Sequence, residues 1–158
     1  MVLPMRNTII LLAIIAISTS ATAQELQTEL NAVNELFGGS AVMKLDKHHR
    51  LVVDFHDASG RYRQDIVPVM HLDPDNISYS TEEDAVVLGC RTDKAQCIDK
   101  EIFKLNTVRH TGRSNLPRPL GDAGGERTML ALRDLLRSAQ DQVASAAGET
   151  RERPSRIK

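Results

Sequence analysis

The chain has 158 residues, 41% of them hydrophobic and 26% charged, with a formal net charge of −1 and only 3% aromatic residues, none of them Trp. That balance suits one globular domain. It lacks the basic surface and the stacking rings that nucleic-acid binding uses, so no nucleic-acid partner is expected.

The first residues read as an export address. Met1–Thr8 holds one cation, Arg6; Ile9–Ile17 is an unbroken apolar run; Ser18–Ala23 is small and polar and closes on Ala21-Thr22-Ala23. These are the three regions of a cleavable signal peptide over residues 1–23. Nine apolar residues fall far short of the roughly 20 that span a bilayer. The mature chain is therefore expected to carry no transmembrane helix and to reside in the periplasm or outside the cell. It would start at Gln24, without a cysteine to take lipid, and keep 19 basic against 21 acidic residues, a formal charge of −2.

Leu26, Leu30, Val33 and Phe37 recur at spacings of four, three and four, the apolar stripe of a helix over Gln24–Phe37. Gly38-Gly39 ends it, closing an N-terminal segment over 24–39. The polar face carries Glu25, Glu29 and Glu35, the wrong sign for anionic lipid.

A run of short strands follows. Ala41, Met43 and Leu45 alternate with polar neighbours, Lys47–Arg50 turns the chain, and Leu51, Val53 and Phe55 form the next inward face. Asp57–Gly60 is a turn cluster, and Arg61–Met70 is extended with Pro68 at an edge or bulge. His71–Asn76 reads as a connector around Pro74, and Ile77–Ser80 as a strand. Thr81–Asp84 turns into Ala85–Cys90. The spacing predicts a hairpin of Val86–Cys90 with Ile98–Leu105, with a bulge in Asp99–Ile102 to reconcile its parity. Thr107–Thr111 is a weaker seventh strand, and Asn115–Pro119 reads as irregular.

The only two cysteines, Cys90 and Cys97, bracket the hairpin loop. In an exported chain they are expected to form a disulfide. Opposed hairpin residues come within bonding range. The CRTDKAQC spacing is not that of a redox-active pair, so the bond is read as structural.

Met129, Leu132, Leu136, Ala139 and Val143 mark a second amphipathic helix, capped by Asp122 and running to about Ala147. Residues 148–158, with six charged side chains among eleven, read as a disordered tail.

Six or seven short antiparallel strands before one long amphipathic helix define an α+β domain over 40–147, a bent sheet or open barrel closed by a terminal helix. This order of elements resembles the pleckstrin-homology-like superfold, which implies two near-orthogonal sheets with a carboxy-terminal helix across one open end. The stretch from Tyr62-Arg63-Gln64-Asp65 to Leu72-Asp73-Pro74, then Ile77-Ser78-Tyr79-Ser80, is similar to small exported bacterial proteins of unknown function. That similarity implies no activity.

Two clusters are candidate sites. Lys44, Lys47, Arg50, Arg61 and Arg63 fall on neighbouring strands and could form an anion-binding patch, with Asp46, Asp54 and Asp65 placed to neutralise it as cross-strand pairs. His56, Asp54, Asp57 and His71 form the set an exported metal-dependent hydrolase would need. His48-His49 puts adjacent rings on opposite faces of a strand, and only Asp54 and His56 share one, so the ligand set stays incomplete. No GxSxG, HExxH or phosphate loop occurs. No catalytic residue, resident metal or cofactor is expected. The expected role is a non-enzymatic interaction module or envelope accessory protein, with another exported or envelope protein as partner. A pocket for a lipid or small-molecule ligand between the two sheet halves and the carboxy-terminal helix stays open as a further alternative, its ligand unidentified, and any function is expected on the loops or where the open end of the sheet meets the Met129–Val143 helix.

Overall fold

The computed structural model describes residues 18–151, with side chains from 23 to 148. Residues 1–17 of the expected leader and 152–158 of the expected tail lie outside the described residues.

Helix α1 spans Ser18–Phe37, six residues longer at its start than the apolar stripe required. Its stripe is the buried face: Leu26, Leu30, Val33 and Phe37 all enter the core. Gly38 and Gly39 stop it with φ of 54° and 89°, a conformation that costs a glycine little. Eight strands follow: β1 (Ala41–Leu45), β2 (Arg50–Asp57), β3 (Gly60–Pro68), β4 (Leu72–Ser80), β5 (Ala85–Cys90), β6 (Ile98–Ile102), β7 (Thr107–Thr111) and β8 (Arg113–Pro117). Helix α2 spans Glu126–Arg151, running past the expected end near Ala147.

The strands form two antiparallel sheets, one ordered β1-β2-β3-β6-β7 and the other β4-β5-β8. The α+β class, the carboxy-terminal helix and sheets not closed into a barrel are as expected, and the strands number eight among the described residues. One core fills the space between them, with Met43, Leu51, Val53, Phe55 and Ile98 from the large sheet and Leu72, Val86, Leu88 and Leu116 from the small one. Leu132, Leu135, Leu136 and Ala139 of α2 complete it, as α2 packs against α1 and β4.

Four local expectations are corrected. The first is the cysteine hairpin. β5 pairs with β4 and β8, and β6 pairs with β3 and β7, so the two strands flanking the cysteine loop belong to different sheets. All six residues of β5 are buried, and such a strand needs a neighbour on each side. Residues Thr92–Lys94 form a 3-10 turn that redirects the chain. The disulfide does form, with Cα atoms 5.9 Å apart, and it ties sheet to sheet. The crossover from β7 to β8 passes beside it: the Cys90 N–H donates to the Gly112 carbonyl at 2.9 Å. A Cβ on Gly112 would lie 2.5 Å from the Ala95 carbonyl oxygen, so glycine is required for that approach.

The second concerns Asn115–Pro119. Residues 113–117 are a strand, with Leu116 fully buried. β8 is an edge strand, where the N–H that Pro117 lacks is not needed by a neighbour. Third, the expected connector at 71–76 is largely strand. β4 starts at Leu72, opposite Cys90, but Ile77 faces Leu88, so five steps on β4 match two on β5 and Pro74 sits in the excess. Fourth, β6 has no bulge; it stops at Ile102, and a 3-10 turn over Phe103–Leu105 changes the parity instead. A bulge lies elsewhere: between Phe55 and His56 on β2, β3 advances two residues, from Arg63 to Arg61.

Asp122 serves the start of α2 as expected, though across a 3-10 turn, Ala123–Gly125. Its carboxylate accepts the N–H groups of Arg127 (3.2 Å) and Thr128 (2.9 Å) and the Thr128 hydroxyl (2.6 Å). Burial raises its pKa, but these donors outweigh burial and hold it below the ordinary carboxylate value.

Candidate functional site: a groove between the two helices

The five candidate cations do not converge. The bulge at Phe55/His56 reverses parity between Arg61 and Arg63, so the two arginines reach to opposite faces of the large sheet. Arg61 joins Lys44 on the outer face, both at 3.1 Å from Asp54. Gln64 also donates to Asp54. Burial raises the Asp54 pKa, yet Gln64, Lys44 and Arg61 together keep it below the ordinary value. Arg50 pairs with Asp46 at 2.7 Å. Lys47 is exposed in the β1–β2 turn and forms no ion pair among the described residues. Each of the other four stands beside a carboxylate.

Arg63 turns inward. Its guanidinium lies 3.6 Å from the centre of the Phe55 ring, donates to the Asn115 carbonyl at 2.8 Å and stands 3.0 Å from Asp65. The Asp65 side chain is 1% exposed and accepts the Ser114 hydroxyl. Burial dominates here and raises its pKa despite Ser114, Arg63 and Lys100. This polar seam joins β3 of one sheet to β8 of the other. Ser114 is itself buried, closed to any substrate, so the seam is structural.

The His/Asp set does not assemble. Asp54 is occupied by cations, and Asp57 accepts the Ser59 N–H and hydroxyl in a surface turn. His56 is exposed on β2, while His71 ends the 3-10 turn before β4. Among the described residues, no three His, Cys, Asp or Glu side chains are placed to hold a metal ion.

One concave feature is mostly apolar. A groove of about 600 Å³, open along one side, lies between residues 23–34 of α1, the last half of α2 and β1. Leu26 and Leu30 form one wall, Met43, Leu45 and Val69 the floor, and Ala139 and Val143 the other wall. Two side-chain amides anchor its helical walls to the backbone beneath them. Asn34 of α1 donates to the Met43 carbonyl at 2.9 Å and accepts the Met43 N–H at 2.6 Å. Gln140 of α2 donates to the carbonyls of Val69 (2.8 Å) and Leu72 (3.0 Å).

The rim at the β1–β2 turn is equally fixed. Asp46 accepts the N–H groups of His48 and Arg50, both at 2.9 Å, and the Arg50 side chain at 2.7 Å. His49 takes φ of 57° to complete the turn. Burial raises the Asp46 pKa, but the Arg50 and His48 donors prevail and lower it to about 2.

Sequence reasoning pointed to the end of the sheet where the second helix lands, and it missed that α1 forms the other wall. The available signal was the stripe of α1, whose first members, Leu26 and Leu30, line the groove. The seam had no local signal, because Asp65 and Ser114 are 49 residues apart. No described helix is long and apolar enough to cross a membrane.

Comparison with family models, with curated proteins and with solved structures finds no match for this chain.

Proposed function

We propose that the protein is an exported, non-enzymatic binding module of the periplasm or cell exterior. Its groove takes the apolar face of a helical segment from another exported or envelope protein. The observation that carries this reading is the groove, a mostly apolar trough with two helical walls, each anchored to the backbone beneath it by Asn34 or Gln140. Amphipathic helices bind such troughs through side chains one turn apart.

Two features favour a protein segment over a small molecule. A small-molecule pocket buries 70–90% of its ligand, and this groove is open along one side. Most of its polar side chains are also committed, Asn34 to β1, Lys44 to Asp54, Asp46 to Arg50 and Gln27 to Asn31, which leaves His49 and Gln142. A small polar ligand would find few groups to orient it. The Cys90–Cys97 disulfide is compatible with an oxidising compartment.

Site-directed photo-crosslinking in the envelope tests the reading. A photoreactive residue at position 142, on the groove wall, is expected to give one discrete protein adduct. Val143→Glu places a charge in the trough and should lower the yield about tenfold, the equivalent of about 1.4 kcal/mol. Val42→Glu, on the outer sheet face, should leave it unchanged. An adduct that survives Val143→Glu in a folded variant refutes the groove. A stoichiometric small molecule retained in native mass spectrometry refutes the helical occupant.

A further inference from the structure

We propose that Gln24 is a modification site: as the amino terminus of the exported chain, it closes to pyroglutamate. The inference rests on the reading of residues 1–23 as a cleaved leader. The α-amino nitrogen attacks the side-chain amide carbon, Cδ. The new C–N bond closes a five-membered lactam, the bond from Cδ to Nε2 breaks, and a proton passes from the amine to the departing nitrogen, which leaves as ammonia. Nothing is oxidised or reduced.

The placement of Gln24 suits this closure. Its side chain is exposed and makes no hydrogen bond among the described residues, whereas the neighbouring Gln27 amide donates to Asn31 at 2.9 Å. Ring closure therefore breaks no contact. It needs only side-chain rotation, because the backbone of the turn is already seated. The Gln24 carbonyl accepts the Thr28 hydroxyl at 2.9 Å, and Leu26, two residues on, is buried.

The fold also favours the product. A protonated amine at the start of α1 opposes the helix dipole, and the lactam is neutral. Cleavage removes Ala23 from the groove rim and leaves the residue that cyclises two positions before Leu26, the next α1 residue on the groove wall. The lactam has no free α-amine, so it blocks aminopeptidases at a turn that Leu26 needs intact.

The test uses the full chain with its own leader, exported by a bacterial host and recovered from the periplasm. Intact mass is expected to be one ammonia lighter than oxidised 24–158, with the terminus closed to Edman sequencing and opened by pyroglutamyl aminopeptidase. Gln24→Ala should show full mass and a readable terminus. A chain that starts at Gln24 and keeps its amine through days of incubation overturns the inference while leaving the leader reading standing. A chain that starts elsewhere overturns both.

Discussion

Removing the disulfide with the pair Cys90→Ala and Cys97→Ala tests whether it ties the two sheets. The bond spans a sequence separation of 7, and a loop that short gives about 2.5 kcal/mol in the chain-entropy account. For about 130 ordered residues, at about 2.1 cal/mol/K each, the unfolding entropy is near 0.27 kcal/mol/K, so the expected fall in Tm is about 9 °C. Cys90 is buried, so its lost packing adds to that fall.

Differential scanning calorimetry of the oxidised protein and the variant reads the stability, and hydrogen exchange reads the location. Exchange should rise at the end of β5 and the start of β6, including the Cys90 amide bonded to Gly112, while β1 and β2 keep their protection. A Tm within about 2 °C of the parent would refute the stabilisation argument. Loosening confined to the loop over residues 91–96 would refute the sheet-to-sheet tie.

Two further outcomes follow from the carboxylates. Asp46 has a folded pKa of about 2 against an ordinary 3.8, so its contribution is present above about pH 4 and fades as pH falls towards 2. After allowance for solvent screening at this partly exposed pair, Asp46→Asn should cost about 1 kcal/mol at neutral pH and only a small fraction of that by about pH 2, read from urea midpoints. A gap that stays constant across that window would refute the ion-pair account. Ser114→Ala takes a donor from buried Asp65 and should cost about 1–3 kcal/mol. It pushes the raised Asp65 pKa further up, so the penalty should be larger at pH 7 than below the unfolded carboxylate value; equal penalties at both would contradict that role.

Much of the fold was legible because its signals are local. The stripe Leu26, Leu30, Val33, Phe37, the alternation in Ala41–Leu45 and Leu51–Phe55, and the Met129–Val143 face each report burial through backbone periodicity. The bonded cysteines and the Asp122 cap were legible for the same reason, since each acts over fewer than eight residues.

What the tertiary structure alone decided is partnership. Sequence order made β5 and β6 neighbours; the fully buried β5 instead required strands on both sides and took β4 and β8. One unpaired residue, Tyr62, reversed the faces of Arg61 and Arg63 and divided an expected cationic patch between solvent and core. The groove depends on α1 and α2 meeting across the 88 residues of chain, 38–125, that separate them. Periodicity tells a residue whether it is buried; only the closed core determines against what.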